Sequence, residues 1–223
     1  MSYPINYPTP QGANIQYFYG SSKALTANTT TSKDWVKPQG ASFVWFTLIG
    51  AGSSGDGTNG GSSGAVTNFM CPAFLIPDIL QVNVGSGGTN SVGEQGVDTT
   101  VVYQAKDGTG YTLLTAKGTG SASTSNFFSA MGFFQSVAGQ SGTNGADQPA
   151  STTTFLSGGT QSFFVVNGNY GYSTPASGNV NGFFQMQPII VGVGGSGNGR
   201  GGLGCGGGLD GVGGPGLAVI ITW

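Results

Sequence analysis

The sequence contains no histidine, and only 6% of its 223 residues are charged, about a quarter of the usual share. Without imidazole groups the chain cannot form a Ser-His-Asp triad, a Cys-His dyad or an imidazole metal site. No two of the eight acidic residues fall within three positions of each other, so a glycosidase-like carboxylate pair would have to be assembled by folding. We therefore expect no enzyme, no catalytic residue, no cofactor and no metal site.

Positive charge is equally scarce. The six basic residues are scattered along the chain, whereas nucleic acids and anionic membrane surfaces require clustered cations. No apolar run approaches the roughly 20 residues that span a bilayer. The opening stretch, MSYPINYPTPQ, lacks the basic and apolar regions of a secretory signal. We expect no nucleic-acid partner, no membrane insertion and no signal peptide, with synthesis in the cytoplasm.

Only two cysteines are present, Cys71 and Cys205, and they are far apart in sequence. A disulfide framework in a secreted protein normally has more. Two free, partly buried thiols are therefore expected, although the sequence alone leaves open whether they meet in space.

Glycine, by contrast, is abundant, at 44 of 223 residues. The chain also has 14 Phe, 8 Tyr and 3 Trp, which disordered linkers usually lack. Between Gly192 and Gly216, positions at steps of three are nearly all glycine, while another register holds the bulky residues Leu203, Leu209, Val212 and Pro215. Because a left-handed extended helix has three residues per turn, this period predicts an ordered polyglycine-II-type helix over 192–216. The alternative is long mobile loops with an accidental period.

Apolar and β-branched runs predict strands, and no helical periodicity of ten or more residues is evident beyond one turn within 127–137. Asp107-Gly108 between two of the runs is typical of a hairpin. Residues 1–34, rich in Pro, Tyr, Asn and Thr, are interpreted as an extended N-terminal arm. Residues 35–223 are interpreted as one glycine-rich β-sandwich domain, with 121–187 as a loop-rich insertion. The expected strands are Phe43–Ile49, Leu75–Val84, Thr99–Gln104, Tyr111–Ala116, Gln161–Val166, Gly182–Gln187 and Leu217–Trp223.

Several segments together resemble the glycine-rich domain of phage tail fibres and other viral structural proteins. A lead-in with Trp35, Pro38 and Gly40 precedes FTLIGAGSSGDGTNGGSSG, and the block PDILQVNVGSGG at 77–88 is similar to the family's repeated Val and Gly pattern. The ending GGPGLAVIITW resembles the family's closing strand. The resemblance covers roughly 35–120 and 188–223, and Asp78 stands where the family has glycine.

The resemblance implies an all-β fold, a jelly-roll-like β-sandwich with polyglycine-II-type segments packed beside it. It also implies a virion structural protein, a phage tail-fibre or tip module for host attachment, located in the virion. The alternative is a capsid-associated decoration protein or a self-assembling fibre subunit. Expected partners are other virion proteins and the chain itself as a homo-oligomer, a trimer being one option.

One stretch of the sequence has the composition of a binding surface. Tyr170 and Tyr172 stand between glycines, a mixture typical of binding loops, and Phe183 and Phe184 follow nearby. These four residues are the candidate binding residues, for carbohydrate or protein on the host surface. Two alternatives remain: adjacent phenylalanines are more often core residues, and such loops also suit packing against a neighbouring subunit.

Overall fold

Val44, Phe46 and Leu48 alternate along one strand, and all three are buried against the same core. In the computed structural model this strand spans Phe43–Ile49, the bounds predicted from its aromatic and β-branched run. Thr47 and Ile49, on its other face, are buried too, as expected for a strand that is covered on both sides. The structure describes residues 12–21, 29–58, 60–89, 93–118, 133–137, 152–154, 160–162, 183–186, 189–193, 199–208 and 210–223.

These residues form an all-β structure whose only helical element is the short 3-10 turn Ala73–Leu75. The strands, in chain order, are β1 Asn14–Tyr19, β2 Thr30–Val36, β3 Phe43–Ile49, β4 Val66–Pro72, β5 Ile79–Gly85, β6 Thr99–Gln104, β7 Gly110–Ala116, β8 Phe133–Val137, β9 Thr152–Thr154, β10 Thr160–Ser162, β11 Phe183–Met186, β12 Ile189–Val193 and β13 Leu217–Thr222.

Two antiparallel sheets contain most of the strands. One has five strands in the order β1-β13-β3-β4-β8, and the other has four in the order β2-β5-β6-β7. β9 with β10, and β11 with β12, form two separate antiparallel pairs. Because β5, β6 and β7 pair in chain order, the four-stranded sheet contains a meander, which differs from the crossed connections of the jelly roll suggested by the sequence.

One apolar cluster fills the space between the two sheets. Phe46 and Phe69 contribute from the five-stranded sheet, and Trp35, Leu80 and Leu114 contribute from the four-stranded sheet. The rings of Trp35 and Phe46 meet edge to face at 5.8 Å. Since both sheets bury one face in a single core, the arrangement is that of a β-sandwich.

The register gives the sandwich two distinct ends. Leu217 pairs with both Ile49 and Tyr19, and Thr30 pairs with Gly85, so these residues lie at one end. Glycine-rich segments continue from the strands there, and we call it the glycine end. The opposite end carries the other termini of the same strands, including Val36, which pairs with Ile79.

The described part of the predicted N-terminal arm belongs to the sandwich. Ile15 and Tyr17 of β1 pair with β13, and Lys33 and Trp35 of β2 pair with β5. A boundary at residue 34 therefore falls inside a strand. Polar residues at most exposed positions of β2 concealed its strand character, because its burial depends on one residue, Trp35.

The helical turn suggested within 127–137 was wrong over its described part, since Phe133–Val137 is strand β8, paired with β4. The predicted hairpin at Asp107-Gly108 is confirmed. Gly108 has a φ of 85°, a conformation that favours glycine, and the Ala105 N–H donates to the Thr109 carbonyl across the turn at 2.8 Å.

Candidate interaction surfaces

At the glycine end, six segments contact one another through their backbones. We call them together the glycine bundle: residues 50–55, 60–65, 85–88, 93–97, 199–208 and 211–216. Residues 50–55 donate backbone hydrogen bonds of 2.8–3.2 Å to three different neighbouring segments in turn, so that each neighbour is reached at every third residue. Gly50 and Ser53 donate to Ala65 and Ser62 in the first neighbour. Ala51 and Ser54 donate to Val97 and Glu94 in the second, and Gly52 and Gly55 donate to Gly214 and Gly211 in the third.

The same segment also accepts hydrogen bonds from further neighbours. The Gly88 N–H donates to the carbonyl of Gly52, and the Gly207 N–H donates to that of Ser53. A β-strand can pair only with two neighbours in one plane, whereas residues 50–55 are surrounded by paired backbone. All six N–H groups, and the carbonyls of Gly52, Ser53 and Gly55, are thus satisfied without a sheet.

The closeness of these segments requires glycine. A Cβ added to Gly52 would collide with the carbonyl of Cys205, and one added to Gly213 would collide with the carbonyl of Gly52. In both cases the obstacle is backbone, which cannot rotate away as a side chain can. The bundle therefore depends on the absence of side chains at these positions.

The stretch that was predicted as one helix over 192–216 is folded back on itself in its described part. The Cys205 N–H donates to the Gly202 carbonyl in a turn, where Gly204 has a φ of 71°. The chain then reverses, so that Gly208 donates to Gly199 and Gly214 donates to Cys205. A single continuous helix over this range was therefore the wrong expectation, because glycine permits the reversal that the period alone does not reveal.

Carboxylates near the bundle have structural partners. Glu94 Oε2 accepts hydrogen bonds from the Thr89 N–H and hydroxyl, both at 2.7 Å. Asp98 binds the Lys117 ammonium at 2.9 Å and the Gly118 N–H at 2.9 Å. In the hairpin turn, the Thr109 N–H and hydroxyl stabilise the ionised form of Asp107 and lower the pKa of that carboxyl.

The opposite end exposes large apolar side chains. Phe74 is 81% exposed, and the cross-strand neighbours Val36 and Ile79 are 60% and 58% exposed. Phe43 is 40% exposed and stacks on Trp223 with ring centroids 5.8 Å apart. We call Val36, Phe43, Phe74 and Ile79 the apolar end.

Lys37 holds the backbone on which Phe74 is displayed. Its ammonium donates to the carbonyls of Ala73 at 3.0 Å and Ile76 at 2.9 Å, and it pairs with Asp78 at 2.8 Å. These three contacts fix both sides of the 3-10 turn that carries Phe74. An exposed aromatic residue is thereby held on an ordered support.

A small open cavity of about 120 Å³ adjoins the apolar end. Pro38, Gln39, Gly40 and Ala41 form one wall as a tight turn closed by an Ala41 N–H to Pro38 carbonyl bond, and Gly40 has a φ of 78°. The remaining lining residues are Gly12, Asn14, Thr222 and Trp223. The cavity thus combines an aromatic ring and a proline with two amide side chains.

Only two of the four predicted binding residues are among the residues that the structure describes. Tyr170 and Tyr172 lie outside the described residues. Phe183 and Phe184 lie on β11, where their backbones pair with Val193 and Gly192. The role of these four residues as a binding site therefore stays a prediction.

Sequence reasoning missed the apolar end. Phe74 was next to a predicted strand beginning at Leu75, but the structure places that strand at Ile79–Gly85. The signal was the pair of prolines at 72 and 77, which bracket the apolar residues between them and disfavour a continuous strand. Ile76 in this loop is buried in the core, whereas Phe74 is 81% exposed.

Both cysteines are free and buried, as predicted, and they belong to different apolar clusters. Within the described ranges, no group of three or more His, Cys, Asp or Glu residues is placed to hold a metal ion. No helix in the described part of the chain has the length and apolar character needed to cross a membrane.

The sequence was also compared with known proteins. No protein-family model matches it, and no curated protein matches it either. What the chain does must therefore be inferred from its own residues and geometry.

Proposed function

We propose that the chain is a virion structural protein, a host-attachment module of the phage tail-fibre or tip kind that acts by binding rather than by catalysis. The observation that carries this proposal is the rotating hydrogen-bond pattern of residues 50–55, which turns a glycine-rich sequence into an ordered support. The resemblance of 35–120 and 188–223 to viral glycine-rich domains adds to it.

In this proposal the glycine-bundle segments are polyglycine-II-type helices packed beside the sandwich. The three-residue step of the donors supports this, because each helix of that kind directs successive N–H groups to three sides. The clash of an added Cβ with neighbouring carbonyls supports it as well. Such packing leaves little room for bending, and this stiffness is what an attachment tip requires.

Two residues at the glycine end flank the range 119–198, which contains Tyr170 and Tyr172. Gly118, just before this range, has its N–H bound by Asp98, and Gly199, just after it, has a carbonyl that accepts from Gly208. Residues 119–198 thus connect to the glycine end on both sides in sequence. We propose that they include the host-binding residues, with host carbohydrate or protein as ligand.

Two measurements test the proposal. Mass spectrometry of purified particles should detect the chain, and its absence from the particles would refute a virion role. Binding of the purified protein to host cells should fall at least tenfold in a Tyr170→Ala/Tyr172→Ala variant, since aromatic anchors dominate interfaces. Phe74→Ser, at the other end of the sandwich, is the matched control. Equal loss in both variants would show that the proposed host-binding residues are wrong.

A decoration protein or a self-assembling fibre subunit is the second candidate. The apolar end favours it, because exposed apolar patches commonly mark protein interfaces. Labelling of the chain in intact particles by electron microscopy separates the candidates. A location along the capsid or a shaft would favour assembly, and a location at a tip would favour attachment.

A further inference from the structure

The outer face of the five-stranded sheet, which points away from the core between the sheets, is buried. Val219 of β13 and Ile49 of β3 belong to a second apolar cluster on this face. Val219, Thr47 and Asn68 lie side by side on three paired strands, and they are 0%, 2% and 3% exposed. The middle of the face is therefore closed to solvent.

Neighbours within a sheet do not by themselves close its face. Asn83 and Thr100 lie on the outer face of the four-stranded sheet, each with a paired strand on both sides, yet both remain partly exposed. Side chains on a sheet point away from its plane, so their tips are covered only by a further layer. A layer must therefore lie above Val219 and Thr47.

The glycine bundle supplies this layer at one end of the face. Leu203 and Cys205 belong to the same apolar cluster, and a Cβ added to Gly204 would meet the Ile49 side chain. The other described members of the cluster lie on the strands of the sheet or within one residue of them. The burial of Val219 is nonetheless reached within a single chain, so the rest of the layer belongs to this chain.

We propose that residues 138–198 pack on the outer face of the five-stranded sheet and cover its middle. This stretch follows β8, the edge strand of the same sheet, and Val137 at the end of β8 pairs with Val66 at the glycine end. It is followed by Gly199, which belongs to the glycine bundle. The stretch thus starts at one margin of the face and ends beside the layer that Leu203 begins. The proposal does not depend on where the protein acts.

The composition of 138–198 matches an apolar face. The stretch contains five of the 14 phenylalanines of the chain and one charged residue, Asp147. A segment with so little charge can cover apolar side chains without burying unpaired charges. It also carries the strand pairs β9–β10 and β11–β12, which belong to neither sheet. Because a two-stranded pair is only marginally stable alone, both pairs need a surface to pack on.

Photo-cross-linking of the full-length protein tests which segment covers the face. Tyr17 is partly buried and pairs with Val219, so Tyr17→benzoylphenylalanine places a photoreactive ring at the margin of the face. Irradiation should join position 17 to peptides from 138–198, as identified by mass spectrometry. In a mixture of isotopically labelled and unlabelled protein, the joined peptides should come from one copy. Cross-links between copies would assign the face to an oligomer interface instead, and cross-links to other segments only, or none at all, would also overturn the proposal.

Gln81→benzoylphenylalanine is the matched control. Gln81 is partly buried on the outer face of the four-stranded sheet, so this position should not be joined to 138–198. Equal cross-linking from positions 17 and 81 would show that the stretch prefers neither face, which contradicts the proposal.

Thiol labelling tests the cover without a bulky probe. Thr47→Cys and Thr100→Cys place the same group in the middle of the two outer faces. Thr47→Cys should react with a maleimide at least about tenfold more slowly than Thr100→Cys, because only local opening would expose it. The native Cys71 and Cys205 are buried and should add little to the signal. Circular dichroism checks that both variants fold, and equal rates in the folded variants would contradict a covered face.

Discussion

The sheets and the glycine bundle satisfy the same backbone groups by different means. In the five-stranded sheet, β3 pairs with β13 and β4 in one plane, and its side chains fill the cores on the two faces. In the bundle, residues 50–55 direct their N–H groups to three sides and have almost no side chains to fill space. The sandwich is therefore held by side-chain burial, whereas the bundle is held by close backbone contact.

This difference reverses the usual rule for substitutions. In the sandwich, removing side-chain atoms should destabilise, because it leaves a cavity. In the bundle, adding a single carbon should destabilise, because the space is occupied by neighbouring carbonyls. The variants below test the contrast, from the largest expected effect to the smallest.

Phe46→Ala tests the sandwich side of the contrast. Phe46 is 1% exposed and packs on Trp35 and Phe69, so its removal should lower the free energy of unfolding by about 4 kcal/mol. Urea denaturation measures this. Phe43→Ala, on the same strand but 40% exposed, should cost much less. Similar losses in both variants would mean that the core between the sheets is not what stabilises the fold.

Gly52→Ala tests the bundle side. The added methyl would collide with the carbonyl of Cys205, so we expect a loss of about 2–3 kcal/mol, despite the lower entropy of an unfolded alanine. Gly110→Ala is the matched control, since its nearest neighbours are side-chain atoms at 3.4 Å. It should change the free energy of unfolding by less than about 1 kcal/mol. A harmless Gly52→Ala would refute close backbone packing.

The two regions were also unequally visible in the sequence. Continuous β-branched and aromatic runs predicted β3 and β6 with their observed bounds. β2 was missed, because its first five residues are polar and only Trp35 is buried. The three-residue period predicted that the glycine-rich segment is ordered but not that the chain reverses at Gly204, since a periodic pattern does not specify where the chain turns. The exposure of Phe74 was missed, because it depends on tertiary contacts that the sequence pattern does not reveal.

Lys37→Met tests how the backbone is held at the end of the sandwich opposite the glycine bundle. There one side chain bridges the carbonyls of Ala73 and Ile76, so its loss should cost about 1–2 kcal/mol. Asp78→Asn removes only the ion pair, and its side chain is 83% exposed, so that loss should stay below about 1 kcal/mol. Chemical denaturation of both variants measures the difference. If Asp78→Asn were the more damaging change, the ion pair rather than the carbonyl contacts would hold the turn.

Cys71 gives the smallest expected effect at neutral pH, because its contribution appears only at alkaline pH. Burial in the sandwich core raises the pKa of its thiol from 9.0 to about 11, and the charge of Lys37 offsets part of that rise. Between these values the unfolded chain releases the proton while the folded chain retains it, so stability should fall as pH rises from about 9 to 11. Cys71→Ala should reduce that fall, as measured by urea denaturation at successive pH values. The same slope in wild type and Cys71→Ala would show that the thiol is not the group responsible, and fast reaction of native Cys71 with a thiol reagent at neutral pH would show that it is not buried in solution.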